Sequence, residues 1–113
     1  MAGFDGEAAL RALADPRRRR MLELAWDRER SPSELASSCQ LSRPATSQHL
    51  RVLREAGLVD VRQDAQRRVY SLRPEPLAEL DAWLGRYRAL WERRMEALHT
   101  EIAQGRRKRE VEQ

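Results

Sequence analysis

The chain has 113 residues, of which 35% are charged and 5% aromatic, with a formal net charge of +4, a sequence pI near 10.2 and a mean hydropathy of −0.80. This length is typical of one domain, and the basic balance favours polyanionic partners. A lone cysteine, Cys39, excludes an intrachain disulfide, and no apolar run approaches the roughly 20 residues that cross a bilayer. The sequence predicts a cytoplasmic protein without membrane contact.

The first two predicted helices meet at Asp15-Pro16. Apolar residues recur at helical spacing over 5–14. Asp15 is a good N-cap and Pro16 a good first helical residue, so a second helix should run from there to about Asp27. The cations Arg17 to Arg20 oppose its dipole and need a partner, either internal carboxylates such as Glu23 and Asp27 or DNA phosphate.

A second pair of short helical patterns follows. Ser31 or Ser33 should cap a third helix over about 33–39. After a tight polar turn, Ser42 should cap a fourth helix that ends at Gly57, the residue type expected just past a helix end. The order predicts a helix-turn-helix over about 33–57.

The next segment alternates like a β-hairpin. Val59 and Val61 precede a polar turn over 63–66, and Val69 follows it. This hairpin, over about 58–72, is the predicted wing of a mainly helical winged helix-turn-helix with five helices.

A long amphipathic helix is predicted over about 75–104. Its apolar residues are spaced three or four apart, which keeps them on one stripe. The domain should end at residue 105, and a basic tail over 106–113 is predicted to be disordered. The stripe comprises Leu77, Leu80, Leu84, Tyr87, Trp91, Met95, Leu98 and Ile102.

The outer face of the fourth helix has the chemistry of base recognition. Leu50 and Leu53 should anchor its inner side, whereas the outer side carries hydroxyl, amide and guanidinium groups that pair with base edges and phosphates. No acidic residue lies between Pro44 and Arg54. Wing arginines could serve solubility, but beside an acid-free helix they favour phosphate contact. The predicted DNA-binding residues are Ser42, Arg43, Thr46, Ser47, Gln48, Arg51, Arg62, Arg67 and Arg68.

The segments ALADPRRRRMLELA, SPSELASSCQLSRPATSQHLRVLREAGLV and RRVYSL together resemble the ArsR/SmtB family of winged-helix repressors over about residues 8–103. The resemblance implies a homodimer that binds a palindromic operator on double-stranded DNA and dimerises through its first and last helices. The dimer-interface residues it implies are Leu10, Leu80, Trp83, Leu84, Tyr87, Trp91 and Leu98.

The chain departs from that family at its metal sites. Arsenic-sensing members carry cysteines where this chain has Ser31 and Ser33, and serine hydroxyls are poor ligands for soft metals. The Asp and His ligands of zinc-sensing members are not assembled around Asp81 and His99. We therefore expect no metal and no cofactor, with Cys39 acting as a small apolar residue.

The predicted function is a sequence-specific transcriptional regulator, a homodimeric repressor that binds an inverted repeat without metal. No set of residues for catalysis is present, so an enzyme is not expected. Two alternatives remain open. One is a sensor whose release from DNA is gated by an unidentified small molecule or by oxidation of Cys39. The other is a winged helix that binds a partner protein.

Overall fold

The structure, a computed structural model, describes residues 6–112 apart from the side chain of residue 112, and divides into one unit up to Leu80 and another from Asp81. Within these residues five helices and one antiparallel hairpin form the predicted winged helix-turn-helix. The elements are α1 (Gly6–Ala14), α2 (Pro16–Asp27), α3 (Pro32–Cys39), α4 (Arg43–Glu55), β1 (Val59–Asp64), β2 (Arg67–Leu72) and α5 (Pro74–Glu112). Residue 5, where α1 was expected to begin, lies outside the described residues.

Local capping side chains set the starts of α2, α3 and α4. Asp15, Ser31 and Ser42 each accept a hydrogen bond from a backbone amide two or three residues further along the chain. Ser31, rather than Ser33, caps α3, and Glu34 completes a capping box by accepting from the Ser31 amide at 3.3 Å. These caps need no distant contact, which is why the sequence located them.

The core of the N-terminal unit forms between α1, α2, α3, α4 and the base of the wing. Leu50 and Leu53 of α4 are buried, as predicted. The chain leaves α4 through Gly57, whose φ of 75° is accessible to glycine at little cost. The fully buried large side chains of the core are Met21, Leu35, Leu53 and Leu58.

The wing is a regular hairpin whose register runs from Val59 opposite Leu72 to Asp64 opposite Arg67. Only two residues form its turn, fewer than the four predicted, because the strands pair further toward the tip. Tyr70 anchors the hairpin through two backbone hydrogen bonds with Arg30, of 2.8 and 3.0 Å.

The helix α5 continues to Glu112, past the boundary predicted at residue 105. Residues 106–112, for which a disordered tail was predicted, are described as the last turns of this helix, and residue 113 lies outside the described residues. One interior Gly, Gly105, costs a helix only about 1 kcal/mol relative to Ala, and the Arg, Lys and Glu residues that follow are good helix formers. Within residues 6–112, no helix is both long and apolar enough to cross a membrane.

Candidate nucleic-acid interface

The two sides of α4 differ in their exposure to solvent. Leu50 and Leu53 pack into the core, which turns Ser47, Gln48 and Arg51 outward, where all three are exposed. Within residues 6–112, their side chains have no hydrogen-bond or ion-pair partner. Their donors and acceptors are therefore available to a ligand.

Thr46, one of the predicted DNA-binding residues, does not belong to this surface. Its side chain is 0% exposed and its hydroxyl donates to the Ser42 carbonyl at 2.9 Å. Its position on the same helical face as Leu50 and Leu53 accounts for the burial.

The start of α4 is partly occupied by intramolecular contacts. Ser42 is exposed, but its hydroxyl accepts from the Ala45 amide at 3.2 Å as the N-cap. Arg43 donates from Nη1 to the Ser33 hydroxyl at 2.7 Å. Both residues lie on the outer surface, and a ligand would have to compete for these groups.

Two of the three predicted wing arginines are paired with carboxylates. Arg62 forms a two-point ion pair with Glu29, and its side-chain hydrogen bonds lower the pKa of that carboxyl. Arg67 lies 3.6 Å from Glu34. The pKa of Glu34 is lowered first by its hydrogen bond from the Ser31 amide, and the charge of Arg67 adds to the effect.

Arg68 has no carboxylate partner in the described part of the chain, and its guanidinium carbon lies 5.9 Å from the centre of the Tyr70 ring. It borders a cleft of about 270 Å³ between α4 and the wing. Arg54, which the sequence analysis missed, borders the same cleft with Arg51 and is exposed. Its spacing of three residues from Arg51 was the available signal, because such residues share a helix face.

The arginine run Arg17–Arg20 is committed to protein partners. Arg17 lies 3.1 Å from Asp15 and Arg20 lies 3.8 Å from Glu23. Arg18 and Arg19 donate to backbone carbonyls at the end of α1. Of the two predicted kinds of partner, internal carboxylates or DNA phosphate, the structure shows an internal carboxylate for Arg17 and Arg20. Asp27, the other carboxylate predicted to pair with this run, pairs with Arg30.

The residues predicted at a dimer interface differ in exposure. Leu80 is 8% exposed, so it is buried within its own chain and offers little to a partner. Trp83 and Leu98 are half-buried, and Trp83 packs edge-on against Tyr87 with ring centres 5.2 Å apart. The exposed members are Leu10, Leu84, Tyr87 and Trp91.

Cys39 is half-buried and packs against the core. Burial raises the pKa of its thiol, which lowers the thiolate fraction at neutral pH and is consistent with a packing role. Among residues 6–112, no three His, Cys, Asp or Glu side chains lie together where they could hold a metal ion.

Comparisons with known proteins agree with this architecture. Residues 15–61 match the family model described as bacterial regulatory protein, arsR family. The chain is 44% identical over 81 residues to the HTH-type transcriptional regulator Rv2034 of Mycobacterium tuberculosis, covering 72% of this chain and 76% of that protein. It is 46% identical over 63 residues to the transcriptional activator HlyU of Vibrio cholerae, covering 56% of this chain and 58% of HlyU.

A solved structure shares both fold and sequence with the chain. An ArsR-like transcriptional regulator from Rhodococcus sp. RHA1 superposes with a TM-score of 0.70 at 29% identity, covering 82% of this chain and 88% of that one. The winged helix-turn-helix, the family model and these relatives lead to one conclusion. The chain belongs to the ArsR family of bacterial regulatory proteins and is a DNA-binding transcriptional regulator, not an enzyme.

Proposed function

We propose that the chain is a homodimeric repressor that reads an inverted-repeat operator with α4 and contacts the flanking phosphates with residues at the wing. The observation that carries this proposal is the outer face of α4. Ser47, Gln48 and Arg51 are exposed there, without partners among the described residues. They lie beside a cleft bordered by Arg54 and Arg68.

The three outer side chains have complementary roles in base recognition. The guanidinium of Arg51 can bind O6 and N7 of guanine together, and the amide of Gln48 can pair with N6 and N7 of adenine. The hydroxyl of Ser47 suits a base edge or a phosphate. Arg54 and Arg68 border the cleft and supply charge for the backbone, which positions the helix without reading sequence.

The remaining predicted contacts have smaller roles in this proposal. Ser42 and Arg43, at the start of α4, approach phosphates only if they exchange their present hydrogen bonds. Arg62 and Arg67 would likewise have to leave Glu29 and Glu34. We therefore expect each of the four to contribute less than Arg51.

Dimerisation is proposed through α1 and α5. Leu84, Tyr87 and Trp91 are 42, 55 and 62% exposed and follow one another at helical spacing on α5. Large exposed apolar surfaces of this kind mark interaction sites. Two-fold symmetry would place two α4 helices in successive major grooves, about 34 Å apart on the duplex.

The proposed regulator works without metal. The two serines that replace the cysteines of arsenic sensors have structural uses in this chain. Ser31 is buried and caps α3, and the hydroxyl of Ser33 accepts a hydrogen bond from Arg43. Neither side chain offers the thiolate that soft metals prefer.

The decisive experiment is the double substitution Gln48→Ala with Arg51→Ala. The full chain first selects duplexes from a random library, and the selected duplex is then titrated against a scrambled one. We expect the variant to lose discrimination between the two while keeping the circular dichroism of the parent. A matched control, Arg93→Ala with Gln104→Ala on α5, should leave discrimination unchanged. Unchanged discrimination in the α4 variant would contradict the proposal.

Repression is tested separately with a reporter gene behind the selected sequence. We expect lower expression when the chain is present. Higher expression would make the chain an activator while leaving the assignment of α4 intact. Release of purified protein from DNA by peroxide, abolished in Cys39→Ala, would instead support the alternative of an oxidation-gated sensor.

A further inference from the structure

The guanidinium of Arg18 joins the end of α1 to α4. Its Nε donates to the Ala12 carbonyl at 2.7 Å and its Nη2 donates to the Arg11 carbonyl at 2.9 Å. Its Nη1 lies 3.3 Å from Nδ1 of His49 on α4 and 3.8 Å from the carboxylate of Asp15. One planar group thus bridges two helices and the N-cap of a third.

This contact fixes the protonation state of His49. A guanidinium has only donors, so Nδ1 of His49 must accept and the ring proton must be on Nε2. The side chain of His49 is only 9% exposed, and burial lowers the pKa of its imidazole. The charges of Arg17 and Arg18 act in the same direction, whereas the charge of Asp15 opposes them.

The other helices packed against α4 place their charged groups in separate pairs. On α1, Glu7 and Arg11 pair with each other at 3.6 Å, and both side chains are more than three-quarters exposed. On α3, Glu34 pairs with Arg28 and Arg67. On β1, which also packs against α4, Arg62 pairs with Glu29 and Asp60 lies 3.6 Å from Arg73. The charges that act on His49 in the described structure are those of Asp15, Arg17 and Arg18.

We propose that Arg18 is a positioning residue for DNA binding, which couples the C-terminal end of α1 to α4 through the unprotonated Nδ1 of His49. The inference rests on the proposed function, because it takes α4 as the helix that reads DNA. His49 directly follows Gln48 on α4, so a shift of the helix backbone at His49 would move the side chains of Gln48 and Arg51 with it. Protonation of His49 would place two cations 3.3 Å apart and break the bridge.

The chain supplies a matched control in Arg19. Its guanidinium donates to the carbonyls of Leu13 and Ala14 at 2.7 and 3.2 Å, so it binds the same end of α1. Among the described residues it has no hydrogen bond or ion pair with α4. A substitution of Arg19 therefore removes two of the hydrogen bonds that cap α1 and leaves the bridge from Arg18 to α4 in place.

The test measures binding of a duplex selected by the full chain from a random library, between pH 8 and pH 5.5. All variants are made in a parent chain that carries His99→Gln, because this substitution removes the only histidine other than His49. At pH 7.5 we expect Arg18→Gln to weaken binding roughly five- to tenfold, the size of effect that the loss of one ordinary hydrogen bond has. We expect Arg19→Gln to weaken it less than about twofold.

The change in DNA affinity on acidification is a second readout, because two explanations predict changes in opposite directions. A simple gain of positive charge on His49 would strengthen binding to DNA. Rupture of the bridge should instead weaken the parent as the pH falls through the pKa of His49, which lies below its ordinary value, and Arg18→Gln should lose this dependence. Nitrogen-15 spectra of the His49 ring should show the proton on Nε2 at pH 7.5.

Three results would overturn the inference. One is an equal loss of affinity in Arg18→Gln and Arg19→Gln, and another is a ring proton on Nδ1. These leave the proposed function standing. If the parent selects no duplex at all, the proposed function and this inference fall together.

Discussion

Arg62 of β1 and Glu29, in the segment between α2 and α3, form a parallel two-point ion pair. Nε lies 2.5 Å from Oε2 and Nη2 lies 2.6 Å from Oε1. Fork-to-carboxylate pairs of this kind are geometrically specific, and they occupy the donors that a phosphate would use. In the proposed complex, Glu29 would therefore compete with a DNA phosphate for Arg62.

We predict that Glu29→Gln strengthens binding to any duplex by about two- to threefold at low salt, because it releases Arg62 and removes a negative charge near the wing. The measurement is fluorescence anisotropy with selected and scrambled duplexes. Adding Arg62→Gln should abolish the gain. An equal gain in Glu101→Gln, on α5, would show that net charge alone is responsible.

Arg54 should bind phosphate and carry no sequence information. We predict that Arg54→Ala weakens binding to selected and scrambled duplexes alike, and reduces the slope of log K against log salt by about 0.9, the value for one phosphate contact. The control is Arg20→Ala, whose side chain is exposed and lies 3.8 Å from Glu23. A selective loss on the selected duplex would assign Arg54 to base contact instead.

Trp91 should lie in the dimer interface. We predict that Trp91→Glu yields a monomer in sedimentation experiments while the helix content is retained, because a carboxylate cannot be buried cheaply in an apolar contact. Ala89→Glu is the control, since Ala89 is also exposed but lies about 200° around the helix from Trp91. A dimeric Trp91→Glu variant would exclude this part of α5 from the interface.

Asp15 should give the stability of the fold a dependence on acid pH. Its pKa falls from 3.8 to about 2, chiefly through the side-chain hydrogen bond from Arg17, with its backbone amide adding to the effect. The folded state thus binds fewer protons than the unfolded chain between these values. The stabilisation is fully present above about pH 4 and is lost as the pH falls toward 2.

The matched variant for this prediction is Asp15→Asn, because Asn remains a good N-cap and lacks the charge. Urea denaturation should show the parent more stable than the variant at pH 6, and the difference should shrink steadily toward pH 2. A difference independent of pH would mean that the carboxylate contributes only as a cap.

Two glycines should respond in opposite directions to alanine. Gly57→Ala should destabilise the fold by roughly 1–2 kcal/mol, because φ is +75° there. The nearest atom to its Cβ would be Pro76 Cγ at 3.7 Å, an ordinary contact. Gly85→Ala, within α5 and with nothing within 4 Å, should favour the helix by about 1 kcal/mol. Urea titrations of both variants measure the change in the free energy of unfolding. Destabilisation by Gly85→Ala would contradict the prediction for α5.

The fold was predictable where its determinants are local. Asp15 and Ser42 act on amides within three residues, and Gly57 supplies its own backbone freedom. The end of α5 lies beyond the predicted boundary because Gly105 is a weak helix breaker when good helix formers follow it.

The sequence predicted which residues of α4 are exposed, but not which charged side chains pair with one another. Helical periodicity placed Ser47, Gln48 and Arg51 outside, as the structure has them. The partner of Arg62 is 33 residues away in the chain, so no spacing rule could reveal it. The same limit applies to Arg18, whose contact with His49 spans 31 residues. Such pairings depend on how the helices pack together.

The corner between α1 and α2 bears on how basic sequences are interpreted more widely. A single residue separates these helices, so the last carbonyls of one helix are capped by the first arginines of the next. Four adjacent arginines in a survey of charge density would be counted as a polyanion-binding patch. When an alanine- and leucine-rich helix followed by Asp-Pro precedes such a run, the arginines can instead cap the end of that helix, as they do in this chain. Their charge should then be subtracted before the size of a nucleic-acid-binding surface is estimated.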